Sequence, residues 1–302
     1  MTSTPMFAGL LSEVGSFFTP LPDKPEETAD SVLRVLWLLA AGTPAAASRA
    51  AALPLPGLNA AQTQRLRDLI ERKRSGVPLA YLSGRQEFLG LELLAEPGAM
   101  IPRRETEILG RAALDCLRAR APAAASLTVL DVCTGSGNLA LAYAFHEPKA
   151  RVHASDLSPE AVGVARRNAE FTGLSSRVEF RSGDLFAPFD DSPLVGACDL
   201  VSCNPPYIST AKVATMPAEI AQHEPKLPFD GGAFGISVIT RLVKDAERFL
   251  KPGGALCFEV GAGQGPVLNQ RLQRLAWAKS IETRTDAGGA IRAFVVTRAS
   301  PC

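Results

Sequence analysis

The sequence predicts an α/β fold, a parallel sheet with helices packed on both faces, preceded by a small all-helical domain. Three observations carry this expectation. From Glu105 onward, short and nearly continuous apolar runs alternate with helical patterns, as buried parallel strands require. Before residue 80 the apolar residues recur at helical spacing instead. The chain also has 302 residues, room for two domains at roughly 150 residues each.

Taken in order, residues 1–80 read as the helical domain. Val32, Leu33, Leu36 and Leu39 to Ala40 form one stripe, on a helix expected from Val32 to Ala41. Thr43-Pro44 opens an alanine-rich helix over Ala45 to Ala52. Asn59 caps another, with Leu66, Leu69 and Ile70 on its apolar face and Lys73, Arg74 and Gly76 closing it. Residues 81–103 form a linker in which Arg85 to Leu94, with Gly90 at its centre, reads as a hairpin. Residues 104–302 carry seven expected strands: Leu127 to Asp131, Arg151 to Ser155, Val178 to Ser182, Asp199 to Ser202, Ala255 to Val260, Lys279 to Glu282 and Arg292 to Thr297. The last two flank a glycine-rich turn, Asp286 to Ala290, and so form an antiparallel hairpin.

Composition narrows the function. With 46% hydrophobic and 21% charged residues the chain is neither collagen-like, coiled-coil nor disordered. Lys+Arg 32 against Asp+Glu 31 leaves a formal charge of +1, poor for gripping a polyphosphate, so no direct nucleic-acid binding is expected. The six cysteines include no Cys-x-x-Cys pair and no Cys/His cluster, which points to a reducing compartment and no metal. No basic leader precedes the first apolar residues, and the Val32 to Ala41 helix is too short for a bilayer, which takes about 20 residues. The expected location is cytoplasmic, away from membranes.

The chemistry-bearing residues sit at strand ends. The first strand runs into Asp131-Val-Cys133-Thr134-Gly135-Ser136-Gly137-Asn138 and then a helix, Leu139 to Phe145. A Gly-x-Gly turn there lets backbone approach a ligand and aims helix-start N–H groups at it, although a bare strand–helix turn looks the same. The second strand ends at Asp156-Leu157, a carboxylate spaced about 20 residues on, where such folds bind ribose hydroxyls. Ser158 caps the next helix and Pro159 opens it. Gly183-Asp184-Leu185 ends the third strand and could bracket an adenine ring, or be only a turn. The fourth strand ends at Asn204-Pro205-Pro206-Tyr207. Two prolines remove two donors and stiffen the backbone, Asn204 adds donor and acceptor, and Tyr207 gives a flat wall with a polar tip. This cluster suits a planar group bearing NH₂, a carboxamide or an amino-nucleobase. Glu259, ahead of Gly261-Ala-Gly-Gln264, ends a strand on the same edge, as a supporting residue or as a turn cap.

With these residues in place, the chain resembles the S-adenosylmethionine-dependent class I methyltransferases that modify exocyclic or amide nitrogens. More narrowly, Pro78 to Gly84, Phe88 to Leu91, Ile101-Pro-Arg-Arg104-Glu-Thr-Glu107, His223-Glu-Pro-Lys226 and Asp230-Gly-Gly232 resemble the release factor glutamine methyltransferases of the HemK/PrmC type, the protein-(glutamine-N(5)) methyltransferases. The resemblance implies a class I, Rossmann-like, seven-stranded methyltransferase domain behind a small helical domain that recruits the substrate. It implies that S-adenosylmethionine is held by Asp131, Cys133, Thr134, Gly135, Ser136, Gly137, Asp156, Leu157, Asp184, Leu185 and Asn204. It implies catalysis by Asn204, Pro205, Pro206 and Tyr207 on the glutamine of the Gly-Gly-Gln loop of peptide chain release factors. A small-molecule amide or amine, or an amino group of a nucleic-acid base, is the alternative acceptor. Two positions depart from the family's usual pattern: Arg104 stands where proline is usual, and Phe234 where aspartate is usual.

Overall fold

A computed structural model provides the structure and describes residues 4–21, 23–209, 223–225, 229, 231–232 and 235–300. Phe234, Asp230 and Lys226 lie outside the described residues. The chain divides into two compact units.

The first unit runs to Pro97 and takes in Ile101–Arg104 and Glu224. It holds α1 (Thr4–Phe17), α2 (Ala29–Ala41), α3 (Ala47–Ala50), α4 (Ala60–Arg74), α5 (Leu79–Ser83) and the antiparallel hairpin β1 (Arg85–Phe88) with β2 (Leu91–Leu94). Val14, Leu33, Leu36, Trp37, Leu66 and Ile70 form its core, each worth about 1.5–3 kcal/mol of burial at full size. The α2 helix starts three residues ahead of its apolar stripe because Thr28 and Ser31 cap each other's backbone N–H. The expected helix over Ala45 to Ala52 shrinks to one turn, α3. No side chain caps its start at Ala46, and Pro54 and Pro56 cannot continue it. Asn59 caps α4 as expected. A buried ion pair stiffens the unit: Arg103 donates to Glu224 Oε1 at 2.5 Å, and Glu224 Oε2 accepts from the Ile101 N–H at 3.1 Å.

The second unit is the α/β part, and all seven expected strands form. They are β3 (Leu127–Val132), β4 (Ala150–Asp156), β5 (Val178–Ser182), β6 (Cys198–Cys203), β7 (Leu250–Glu259), β8 (Ala278–Thr285) and β9 (Ile291–Arg298). They pair in the order β5-β4-β3-β6-β7-β9-β8. The first five are parallel, while β9 runs antiparallel between β7 and β8. The helices α6 (Thr106–Arg120), α7 (Asn138–His146), α8 (Pro159–Phe171), α9 (Ser237–Phe249) and α10 (Gly265–Leu272) pack against this sheet. Together these form a Rossmann-like α/β fold closed by an antiparallel hairpin. The central strands β3 and β6 are apolar and buried almost throughout, because helices leave them no solvent face. No helix among the described residues is long and apolar enough to cross a membrane.

Candidate active site

The strand order dictates where a ligand can sit. The chain steps outward from β3 to β4 to β5, then returns to β6 on the other side of β3. Loops leaving neighbouring strands in opposite directions open a crevice at that switch point, outside the carboxyl ends. Val132 pairs with Cys203, so the Cys133–Gly137 loop and the Asn204–Tyr207 segment leave the sheet side by side. The sequence-flagged residues of both loops are thereby brought together.

Asp131 organises the first loop from beneath. It is fully buried, and its carboxylate accepts from Thr134 Oγ1 and from Ser202 Oγ, each at 2.6 Å. Burial pushes this carboxyl up to about 7, against the pull of those two hydroxyls. Asp131 therefore ties the loop to β6 instead of presenting a carboxylate at the crevice surface. Above it, Cys133, Gly135 and Gly137 adopt left-handed backbone, at φ 59°, 55° and 81°. A Cβ on Gly137 would meet Ala165 Cβ at 3.1 Å and the Phe180 ring at 3.2 Å, whereas one on Gly135 would meet nothing within 4 Å. Gly137 is thus a packing glycine, and the space over Gly135 is open.

Asp156, at the end of β4, accepts from the Gly135 N–H at 2.8 Å through Oδ2 and from the Ser158 N–H at 2.9 Å through Oδ1. Burial raises its pKa, opposed by those amides. The Leu157 amide also faces this carboxylate, which keeps one further lone pair for a hydroxyl. The next residue, Leu157, is 55% exposed, an apolar side chain beside a polar one at the crevice edge. The Ser136 hydroxyl is buried without a hydrogen-bond partner among the described residues. Open space above a glycine loop, a carboxylate and an exposed leucine make a donor set that fits a nucleoside cofactor. Two flagged residues stand differently. Leu185 is buried and its carbonyl accepts from Ser155 Oγ at 2.6 Å. Asp184 is exposed and pairs with Arg241 at 2.5 Å.

The second loop is braced at both ends. Asn204 Nδ2 donates to Thr106 Oγ1 at 3.1 Å, and the Tyr207 hydroxyl donates to Glu259 Oε1 at 2.9 Å. The Tyr207 carbonyl accepts from Gln264 Nε2 at 2.9 Å, while Gln264 Oε1 accepts from the Gly261 N–H at 2.8 Å. Glycines close over the same backbone. A Cβ on Gly231 would fall 2.5 Å from the Pro206 carbonyl oxygen, and one on Gly261 would lie 3.0 Å from the Tyr207 ring. Position 231 must therefore be glycine for the chain to pass the Pro206 carbonyl. Thr106, Gly231 and Gln264 are supporting residues that the motif alone did not identify, though each lies in or beside a segment flagged above.

Glu259 is 1% exposed, and burial pushes its carboxyl up to about 7, against the Thr106 and Tyr207 hydroxyls and the Arg292 guanidinium. Arg292 itself pairs with Glu105 at 2.6 Å. Like Asp131, Glu259 binds a proton more readily in the folded chain than in the unfolded one. Folding therefore takes up protons between a pH of about 5 and 7, and stability falls as the pH rises through that window. Thermal melts of wild type should show a midpoint that declines from pH 5 to pH 7.5, and Glu259→Gln should flatten part of that slope. A midpoint rising with pH would contradict the assignment.

Comparison with known proteins agrees with this geometry. Residues 124–284 match the family model described as "Methyltransferase domain". The chain is 38% identical to a release factor glutamine methyltransferase of Moorella thermoacetica, over 76% of this chain and 78% of that protein. It is 41% identical to one of Deinococcus radiodurans, over 76% and 78%. It is also 39% identical to a ribosomal protein uL3 glutamine methyltransferase of Bradyrhizobium diazoefficiens, over 68% and 65%. By that match, the chain belongs to the methyltransferase-domain family and is an S-adenosylmethionine-dependent methyltransferase related to the release factor glutamine methyltransferases.

Proposed function

We propose that the chain methylates the side-chain nitrogen of a glutamine in a protein of the translation machinery, the glutamine of the Gly-Gly-Gln loop of peptide chain release factors. The observation that carries this reading is the doubly braced Asn204–Tyr207 segment, which holds a rigid set of acceptors beside the cofactor loop. The relatives named above give the substrate class.

In this reading Asp156 accepts from the ribose of S-adenosylmethionine, the cofactor lies over the open face of Gly135, and Leu157 covers its base. When bound, that cofactor supplies a methyl group made electrophilic by a positively charged sulfur. An amide nitrogen is a weak nucleophile because its lone pair is delocalised into the carbonyl. Asn204 Oδ1 and the Pro205 carbonyl accept the two N–H bonds of the incoming carboxamide, and the Tyr207 ring stacks on its plane. Held this way, the nitrogen is fixed in one orientation, and orientation alone can contribute as much as ~7–11 kcal/mol. No strong base is needed beforehand, because a methylated amide nitrogen is acidic enough to lose its proton to water.

Purified chain with isotopically labelled cofactor should label the Gly-Gly-Gln glutamine of a release factor, located by mass spectrometry. Ribosomal protein uL3, tRNA and a low-molecular-weight metabolite fraction form the comparison arms. Label in uL3 alone would move the substrate within the protein-glutamine class, and label only in nucleic acid or metabolites would overturn the proposal.

A further inference from the structure

Asn204 is useful as an acceptor only if its amide faces the right way. The amide is planar, with Oδ1 and Nδ2 on opposite sides, and the two orientations differ by a half-turn that shape alone hardly distinguishes. A chemical reason for one orientation must therefore lie in what touches it. Nδ2 meets the Thr106 hydroxyl, a group able to donate or accept. Thr106 in turn faces the Glu259 carboxyl and stabilises its ionised form. The Glu259 Oε2 oxygen is buried without a hydrogen-bond partner among the described residues, while Oε1 takes the Tyr207 hydroxyl.

We infer that Glu259 and Thr106 are positioning residues that set the polarity of the tetrapeptide, a role that deepens the function proposed above and rests on it for its catalytic meaning. An ionised Glu259 can only accept. It attracts the hydrogen of Thr106, which leaves Thr106 Oγ1 able only to accept from Asn204. Nδ2 is thereby committed to Thr106 and Oδ1 is turned the other way, free for a substrate N–H. The same carboxylate takes the Tyr207 hydrogen and leaves the phenol oxygen's lone pairs exposed. One buried charge thus converts both ends of the segment into acceptors. A protonated Glu259 can donate to Thr106, whose hydrogen then turns to Asn204 and favours the opposite amide orientation.

The groups facing Glu259 are Tyr207 from the loop after β6, Thr106 and Glu105 from the start of α6, and Arg292 from β9. Tyr207 stays protonated, since burial and the adjacent Glu259 carboxylate raise its pKa well above the ordinary tyrosine value. Arg292 and Glu105 are paired to each other at 2.6 Å. Within this cluster, burial pushes the Glu259 carboxyl up to about 7.

The experiment uses the full chain labelled with [¹⁵N]asparagine, which has five such residues. The Asn204 side-chain NH₂ pair is identified by its loss in Asn204→Ala. In wild type this pair should shift between pH 5 and 9 with a midpoint near 7, and in Glu259→Gln it should not titrate. Thr106→Val should abolish the shift and Thr106→Ser restore it. In methyl transfer, Thr106→Val and Glu259→Gln should lower kcat about ten- to a hundredfold with little change in KM for the donor. The wild-type kcat should fall below pH 7, opposite to the trend in stability, and that limb should vanish in Glu259→Gln. An Asn204 pair that does not respond to pH in wild type would overturn the inference, as would full kcat in Thr106→Val. The NMR reading needs no protein substrate, so a wild type silent towards release factors would defeat the substrate proposal and leave this result standing.

Discussion

Asn204→Ala should lose about 10²–10³-fold in kcat, the usual cost of removing one oriented hydrogen-bonding group from a reacting centre. In the proposed function the substitution deletes the acceptor for the substrate N–H, and it frees Thr106 from its Nδ2 partner. Because Asn204 is only half-buried and lies beyond the last strand residue, Cys203, the sheet should be undisturbed. Thermal unfolding within about 2 °C of wild type, with donor affinity changed little, is the expected companion result. Single-turnover transfer of labelled methyl to the substrate glutamine measures the loss. A variant that folds and turns over at the wild-type rate would remove the tetrapeptide from the mechanism.

Gly137→Ala should be the most damaging single-carbon change in the cofactor loop. Its φ of 81° costs a side-chain-bearing residue about 1–2 kcal/mol, and its new Cβ would press on Ala165 and Phe180. Overpacking of that kind adds roughly 1–3 kcal/mol. For a unit of this size the sum corresponds to a fall in Tm of about 5–15 °C. Gly135→Ala is the control: its φ is 55° and nothing lies within 4 Å of the added carbon. It should pay the backbone strain alone, so Tm should fall by less than half as much, while donor affinity falls through the space it fills. Equal Tm losses in the two variants would show that the packing argument is wrong. Chemical denaturation and calorimetric titration with the donor separate the two effects.

The contrast between these glycines also shows what a sequence can and cannot reveal. The strands were legible because a buried parallel sheet needs unbroken apolar runs, as Leu127 to Val132 and Cys198 to Cys203 show. The caps Asn59 and Ser158 were legible because capping is local. The alanine run at Ala45 to Ala52 misled because helix propensity without an apolar stripe, a cap or room before Pro54 does not sustain a long helix. The α1 helix, with Val14 buried in the first unit's core, was not singled out. In the site, the Asn204–Tyr207 segment itself was visible as a motif, but the residues that brace it were not. Thr106 meets Asn204 across 98 residues, and Gln264 meets Tyr207 across 57. Such pairings exist only after the sheet has closed. A difference as small as Asp131 serving from beneath the loop is likewise a matter of burial, which the motif does not encode.

That aspartate has one more implication. Its two oxygens clasp Thr134 on one side and Ser202 on the other, so the proposed nucleoside shelf and amide vice hang from a common pin. Anything that firms the shelf must also steady the vice, and linkage makes the traffic run equally in both directions. Neither guest is then obliged to arrive first: each, once seated, should tighten the grip on the other by an equal factor.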